Sequence, residues 1–568
     1  MIDVKHHTRR YEMLGVMKYR ICTVKYLILF VGLMIITVDA FAQAPVWEWA
    51  TAAGGTDYDH GNALAIDSEG NCYVTGNFVE SATFGEYTIV SSDEGDLDIY
   101  VAKMDMNGNW VWAIRAGGID YDSGSGIVLD NMGNIYVTGY FMMTADFGPY
   151  SLTSNGFNDV FVAKLDYNGN WLWVNQAGGT HYDSGTGITA DEAGNCYVSG
   201  CFENTAFFDT FFITTNGLND GFVAKLSSSG NWQWAKKAGG SSWDYTRSIA
   251  IDSAGNVYVF GDFCETTHFG TYTLTSAGSN DIFVAKISSM GLWRWASQAG
   301  GINTDYGHAI TNDNSGNSYV TGMFQNAAQF GPYYIQGSGS YDIFIAKMDA
   351  NGIWQWAKQA GGVNYDDGEG ITVDNEGNVY LTGGFTDVAF FDSDSIESYG
   401  GRDIFVAKID PSCTWQWVIN AGGNLSDRGS FIIIDNEDNS YVTGYFKGTS
   451  IFGSQIINSV GNTDIFVAKL NPPVSTDPEI NPDALSLTNS PNPFNTRTSI
   501  NYTLKRETGV CLEVYNIKGQ LVETLFEGIN QAGDHTIEWD CKDMPSGVYF
   551  LKMKAGSEES IRKLILLR

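Results

Sequence analysis

The sequence predicts an all-β fold: a seven-bladed β-propeller followed by a small β-sandwich. Three observations carry this. A W-x-W pair recurs seven times, from Trp47/Trp49 to Trp415/Trp417, with one spacing of 63 residues and five of 61, and Ala-Gly-Gly follows each pair. Two further signatures, D-x-x-G-N-x-Y-V-T-G and D-x-F-V-A-K, recur seven times in the same order. Between them the apolar residues alternate with period two, as in Phe161 to Leu165, and β-branched and aromatic residues dominate, with no extended helical period.

Each repeat holds four strand-like runs, A to D. Strand A precedes the first turn, B is YVTG with the aromatic that follows, C is FVAKL and D is W-x-W-A. Asp-x-x-Gly-Asn separates A from B, and Asp-x-Asn-Gly-Asn or a variant separates C from D; Gly and Asn supply the positive φ that tight hairpins need. Four-stranded repeats of this kind close radially, which shields their sheet edges. The last repeat has A, B and C strands but no D, whereas a spare D strand, Val46 to Ala50, precedes the first. The N-terminal strand is therefore expected to complete the last blade, giving a propeller over residues 46–470.

The two tryptophans of each pair are i and i+2, so they are expected on one strand face, as inter-blade packing or, alternatively, as a sugar platform. Ala-Gly-Gly is expected where backbones approach closely. The D-to-A and B-to-C links are long and share one face, where a ligand site is expected; the B-to-C link has room for a short extra strand. The D-to-A links are acidic. Asp57, Asp59, Asp120, Asp122, Asp183 and Asp366 are candidate ligands for calcium or another hard cation, since carboxylates and carbonyls bind such ions. The alternatives are aspartates satisfying turn amides and polar sugar contacts. No complete calcium-loop pattern occurs, and no cofactor is otherwise expected.

The chain has 568 residues and a formal net charge of −33. Residues 46–484 hold 16 basic and 52 acidic groups, net −36. That charge argues against nucleic acid and anionic lipid as partners and predicts a monomer. Catalysis in a ring of similar units needs broken symmetry: a nucleophile with its base, or converging carboxylates. His60, His181, His268 and His308 lie in the repeats, and Arg247, Arg402 and Arg428 are scattered along them. No metalloprotease, nucleophile-elbow, P-loop or dinucleotide motif appears. The sequence thus names no catalytic residue and favours a non-enzyme.

Lys18, Arg20 and Lys25, the apolar run Tyr26 to Val38 and Ala40-Phe41-Ala42 read as a secretory signal over residues 1–42, cleaved after Ala42, with Met17 a plausible start. An uncleaved anchor is the alternative, although the run is short for a membrane span. Cys511 and Cys541 are close enough in sequence to form a pair; the other cysteines replace ordinary residues of sister repeats. Residues 471–484, rich in Pro and small polar residues, form a linker. Residues 485–568 alternate as strands with Gly/Pro turns, an Ig-like sandwich of seven strands.

The repeat units resemble the SBBP-type β-propeller repeat of bacterial secreted proteins over residues 46–470, a family defined by its repeat and not by an activity. Asn492-Pro493-Phe494-Asn495, Val514-Tyr515-Asn516 with Gly519-Gln520, Trp539-Asp540, Ser546 to Phe550 and the final Lys563 to Arg568 resemble the type A C-terminal sorting domain of the type IX (Por) secretion system. A related FlgD-like sandwich, without a transport role, is the alternative. The resemblance implies a Bacteroidetes-like host, export across both membranes with the type IX machinery as partner of residues 485–568, and release or surface attachment. Membrane contact is then expected only during export or through that attachment. Together these features predict a secreted or cell-surface binding or adhesion propeller with a glycan or protein ligand. The alternatives are a secreted carbohydrate-active hydrolase or lyase and a passive envelope structural protein.

Overall fold

The repeated hairpins close because their aspartates satisfy the turns. Asp67 Oδ1 accepts hydrogen bonds from the Glu69 and Asn71 amides, both at 3.0 Å, and Asp67 Oδ2 accepts from the Asn71 side chain at 2.8 Å and the Tyr73 hydroxyl at 3.1 Å. The same arrangement recurs at Asp130, Asp191 and Asp313. A computed structural model describes residues 44–93, 95–473 and 486–567 except Pro493, Lys505, Glu507, Asp543, Gly556 and Ser557. The expected signal segment, and the expected linker from residue 474 on, lie outside the described residues.

All regular structure among the described residues is strand. Two compact units form, Ala44–Pro472 and one within Pro473–Arg568. In the first, every repeat pairs its strands antiparallel in the order A-B-C-D; in the third repeat these are Asp183–Ala190, Cys196–Phe208, Phe211–Leu226 and Trp232–Gly240. In the last repeat, Asp464–Asn471 pairs on one side with Ser440–Phe446 and on the other with the N-terminal strand Val46–Ala53. The A strands neighbour one another in sequence order, and the last, Arg428–Ile434, lies beside the first, His60–Ile66. This is a propeller-like array of repeated sheets.

The B-to-C link forms a two-stranded hairpin, more than the single short strand expected, as in Ser81–Phe84 with Tyr87–Val90. Its role explains Ala-Gly-Gly. Gly117 and Gly118, which end the D strand of the first repeat, pair with Asp146 and Ala145 in the hairpin region of the second. Equivalent pairs join Gly239 to His268 and Gly422 to Ile451, and a bridge joins Gly54 to Thr83. A Cβ on Gly118 would lie 1.8 Å from the Thr144 carbonyl oxygen, so only glycine passes there.

The tryptophan pairs do pack between sheets, but not from one face. A bulge in each D strand leaves the residue between the two tryptophans without a partner, as at Trp110/Trp112 opposite Met104 and Lys103. The bulge breaks the alternation, and the rings part to opposite faces. Trp232 donates back to the Gln176 carbonyl in the preceding repeat at 3.3 Å, whereas Trp234 donates forward to the Ser289 carbonyl at 3.1 Å. Each first tryptophan meets a hairpin phenylalanine edge-on, as Trp354 meets Phe330 at 5.1 Å. Each lysine of F-V-A-K lies over the tyrosine of its own B strand, Lys164 over Tyr136 at 4.7 Å.

The C-terminal unit is a small sandwich. A three-stranded sheet (Ser486–Ser490, Arg497–Leu504, Gly533–Asp540) and a four-stranded sheet (Leu521–Asn530, Thr508–Asn516, Gly547–Ala555, Glu558–Leu566) enclose a core that includes Trp539, Tyr502, Leu512, Leu551 and Leu564. Buried Phe494 packs on Trp539 at 5.7 Å, while its amide donates to the Ile565 carbonyl and its carbonyl accepts from Leu567. The Asn-Pro-Phe-Asn motif and the chain's last strand are thus held together. No disulfide joins Cys511 and Cys541.

Candidate functional site

The A strands bring the site together. In each, the residue after a glycine, or after Thr246 in the fourth repeat, is bulged out of register with strand B. The bulged residues are Asn62, Ser125, Thr186, Arg247, His308, Glu369 and Ser430. Bulges of this kind re-aim a side chain. All seven line one cavity of about 230 Å³, together with Ile127, Ile188, Ile249, Ile310 and Ile371 from deeper in the strands. Several also knit the ring together: Asn62 Nδ2 donates to the Gly124 carbonyl at 2.9 Å, Thr186 Oγ1 to Thr246 at 2.7 Å, and His308 Nδ1 lies 3.0 Å from the Gly368 carbonyl. The next position inward is Ala, Gly or Ser in six repeats and Phe431 in the last, where its half-buried ring takes the space the small residues leave.

Charge collects on one side of this mouth. Arg402 and Arg428 both donate to Asp367, Arg428 from Nη2 to Oδ2 at 3.2 Å, and Arg428 also donates to Glu369. His308 Nδ1 lies 3.2 Å from Glu369 Oε1. Arg247 Nε donates to buried Asp262 at 2.5 Å, with its guanidinium 5.2 Å from the Tyr245 ring and 5.8 Å from that of Tyr306. The arginines that looked scattered in the sequence therefore converge. Burial alone would raise the Asp367 carboxyl; Arg402 and Arg428 outweigh it and hold it below its ordinary value. Burial pushes His308 down to about 4, helped by Arg247 and Arg428, and His60 down to about 4, helped by Arg428. Both histidines are neutral near pH 7.

Exposed aromatic residues precede the A strands of the first four repeats. The residue before the buried aspartate of each D-to-A link is Tyr58, Tyr121, Tyr182 and Trp243 in the first four repeats, and these are 42–49% exposed. Tyr182 stacks on Phe157 at 4.6 Å with the planes 10° apart.

The six candidate cation ligands fall in four links of different repeats: Asp57 with Asp59, Asp120 with Asp122, Asp183 and Asp366. Asp59, Asp122, Asp183 and Asp366 are buried at equivalent positions and hold turn amides. Asp122 accepts from Gly118 at 2.7 Å and Met142 at 2.9 Å, and Asp366 from Gly362 at 2.6 Å and Thr386 at 3.0 Å. Burial, against those hydrogen bonds, pushes Asp122 and Asp183 up to about 8, and the neighbouring Asp98 and Asp159 add to it. Asp57 and Asp120 are half-buried beside them, Asp120 accepting from the Tyr121 amide at 3.2 Å. Among the described residues, one trio has cation-binding spacing: His308, Asp367 and Glu369, with donor atoms within 4.8 Å. Its positive charge is already supplied by Arg402 and Arg428, and the His308 nitrogen nearest the carboxylate faces a carbonyl, which suits an ion-paired network better than a metal centre.

The repeats match the Beta-propeller repeat (SBBP) family at residues 111–140, 172–200, 233–262, 294–323 and 355–383, and residues 490–567 match the Secretion system C-terminal sorting domain. The chain carries an SBBP propeller-repeat region and a type IX sorting domain. The sorting domain marks the protein as secreted through that system to the outer cell surface. An uncharacterized WD repeat-containing protein of Acanthamoeba polyphaga mimivirus is 21% identical over 433 residues, 59% of this chain and 31% of its own length. The regulatory protein FlaEY of Caulobacter vibrioides is 23% identical over 375 residues, 64% of this chain and 33% of its own. The chain spans about a third of the length of these curated relatives. Among solved structures, YCF48 bound to D1 peptide is 12% identical, with TM-score 0.35, covering 77% of this chain and 99% of that one. A puromycin hydrolase mutant complexed with PGG is 10% identical, with TM-score 0.36, covering 78% and 59%. These are distant likenesses of strand arrangement. The SBBP repeats and the sorting domain are themselves regular; the asymmetry lies at the bulged positions.

Proposed function

We propose that this is a secreted or surface-attached binding and adhesion protein. Its repeat region, residues 46–470, acts as a seven-bladed propeller closed by its own N-terminal strand. Its Ig-like or FlgD-like sandwich, residues 485–568, engages the type IX machinery. One observation carries the binding role: turns, tryptophans, lysines and glycines repeat almost unchanged, yet the bulged residue facing the cavity is Asn, Ser, Thr, Arg, His, Glu or Ser. Seven side chains of mostly different nature turned toward one cavity, in units whose turns and packing residues repeat, suit recognition of a ligand better than scaffolding. The ligand is a surface glycan or protein, met on the face of the long links. The net charge of −36 over residues 46–484 keeps the ring monomeric.

A hydrolase or lyase has one feature in its favour, His308 beside Glu369. A general acid or base must be free to move a proton, and here Arg428 neutralises Glu369 while His308 is held by a carbonyl. Binding is the better account. Labelled protein applied to whole cells and envelope fractions tests it: adhesion should fall when Arg247 and Glu369 are both replaced by alanine. Equal adhesion by the variant, or turnover of a polymer without adhesion, would overturn it.

A further inference from the structure

Given that binding role, we propose that the channel mouth takes the terminal unit of a neutral glycan, a single polyhydroxylated ring, with the following units lying across the exposed aromatic rings. Four features fix the chemistry. First, the cavity of about 230 Å³ is smaller than the roughly 300–1,000 Å³ that encloses a drug-sized ligand, so it admits one ring and not a folded surface. Second, the bulged positions supply hydroxyl, amide, imidazole, guanidinium and carboxylate groups around one space. A sugar hydroxyl both donates and accepts, and this mixed set can answer several at once. Third, the mouth is charge-compensated. Arg247 is matched by Asp262, and Arg402 and Arg428 by Asp367 and Glu369, while both histidines are neutral, so no free positive charge waits for a phosphate or uronate. The repeat region as a whole, residues 46–484, carries a net charge of −36, which disfavours anionic polymers. Fourth, the apolar faces of successive sugar units need flat partners. Tyr58, Tyr121, Tyr182 and Trp243 present exposed rings in four consecutive repeats, each four residues before a bulged residue that lines the cavity, Asn62, Ser125, Thr186 or Arg247. The ionic and the aromatic residues meet at Trp243 and Arg247, where Trp243 lies parallel to Tyr245, their planes 12° apart.

A protein ligand would fit less well. It would need a broad interface, and this cavity, apolar at its isoleucine floor and polar at the bulged residues, is only about 230 Å³.

The test titrates the whole protein with the methyl glycosides of common neutral hexoses, pentoses and N-acetylhexosamines, and of glucuronate, followed by tryptophan fluorescence and calorimetry. Oligosaccharides of the best binder follow. At least one neutral glycoside should bind, oligomers should bind more tightly than the monomer, and glucuronide should not compete. Glu369→Gln should weaken the monomer by about tenfold, the usual effect of losing a charged hydrogen-bond partner. Trp243→Ala should abolish the gain from added units while leaving the monomer affinity nearly intact. Ser125→Phe, which fills the cavity from the side without ion pairs, should block both, and serves if Glu369→Gln fails to fold. Phe212→Ala, on an exposed hairpin away from the mouth, should change nothing. The inference is overturned if no neutral glycoside binds, if glucuronide is preferred, or if Ser125→Phe and Trp243→Ala bind as well as the native chain. Were no sugar bound while cell adhesion still depended on Arg247 and Glu369, the glycan assignment would fall and the binding role would stand; loss of both would remove both.

Discussion

Replacing Trp47 by alanine tests whether the N-terminal strand belongs to the last sheet as firmly as an internal strand belongs to its own. Trp47 is 5% exposed and meets the Phe452 ring edge-on at 5.1 Å. Trp354, far from either end, is 4% exposed and meets Phe330 at 5.1 Å in the same geometry. A buried Trp→Ala change costs about 3–5 kcal/mol. The repeat unit has about 430 residues. At about 2.1 cal/mol/K per residue, its unfolding entropy is about 0.9 kcal/mol/K, so either substitution should lower the melting point by about 3–5 °C. Thermal and urea melts of Trp47→Ala, Trp354→Ala and Val46→Ala make the comparison, the last being an exposed neighbour expected to change little. The reasoning requires equal losses at the two tryptophans, although one lies in a strand that must find its partner across more than four hundred residues. If Trp354→Ala lost stability and Trp47→Ala did not, the terminal strand would be an ornament, and the closed array would be wrong.

Gly118→Ala, whose Cβ would lie 1.8 Å from the Thr144 carbonyl oxygen, should destabilise by about 3 kcal/mol or more, whereas Gly133→Ala, with φ +77° and open space, should cost about 1–2 kcal/mol, both measured by urea unfolding. Stability should fall as pH rises from 5 to 8.5. Asp59, Asp244 and Asp305 are raised to about 7, and Asp122 and Asp183 to about 8, all mainly by burial, so the folded state holds protons that the unfolded chain, near 3.8, has lost. Calorimetry showing a higher melting point at pH 8.5 than at pH 6 would refute this. A chelator should leave the melting point unchanged, since the buried aspartates already hold backbone amides; a drop reversed by calcium would show that these aspartates bind the cation instead. Removal of residues 485–568 should leave the repeat region behind the outer membrane, as cell fractionation would show.

Much of the fold was legible because the repeat writes its chemistry seven times. The turn aspartates, the period-two strands and the sorting-domain motifs each have a local cause that survives without tertiary context. What failed was anything that a bulge decides. The i, i+2 rule put Trp110 and Trp112 on one face, but the unpaired Val111 between them shifts the phase, and no local signal in W-x-W announces that. The acidic links were legible as aspartate-rich and ambiguous in purpose. Turn chemistry and cation binding use the same residues, and only the two amides met by Asp122 separate them.

The site was hidden for the same reason, though a signal for it existed. Asp367, Glu369, Arg402 and Arg428 span three strands of two repeats, so spacing alone cannot bring them together. Aligning the A strands of the repeats would have found them: the position before the bulge is Gly in six of seven, and the bulged position is different in almost every one. In a protein built of copies, drift at an inward position between mostly small neighbours marks a place where the symmetry of the repeat is a disadvantage. A ligand without that symmetry can be recognised only by a surface that has lost it. The bulge allows this cheaply, because it lifts one side chain per repeat out of the ladder and into the channel without disturbing the pairs on either side. Exchanging bulged residues outside the ion pairs, Ser125 with Thr186 for example, should therefore alter what is bound while leaving the melting point close to native, and a fold that collapsed on every such exchange would show the variation to be structural after all.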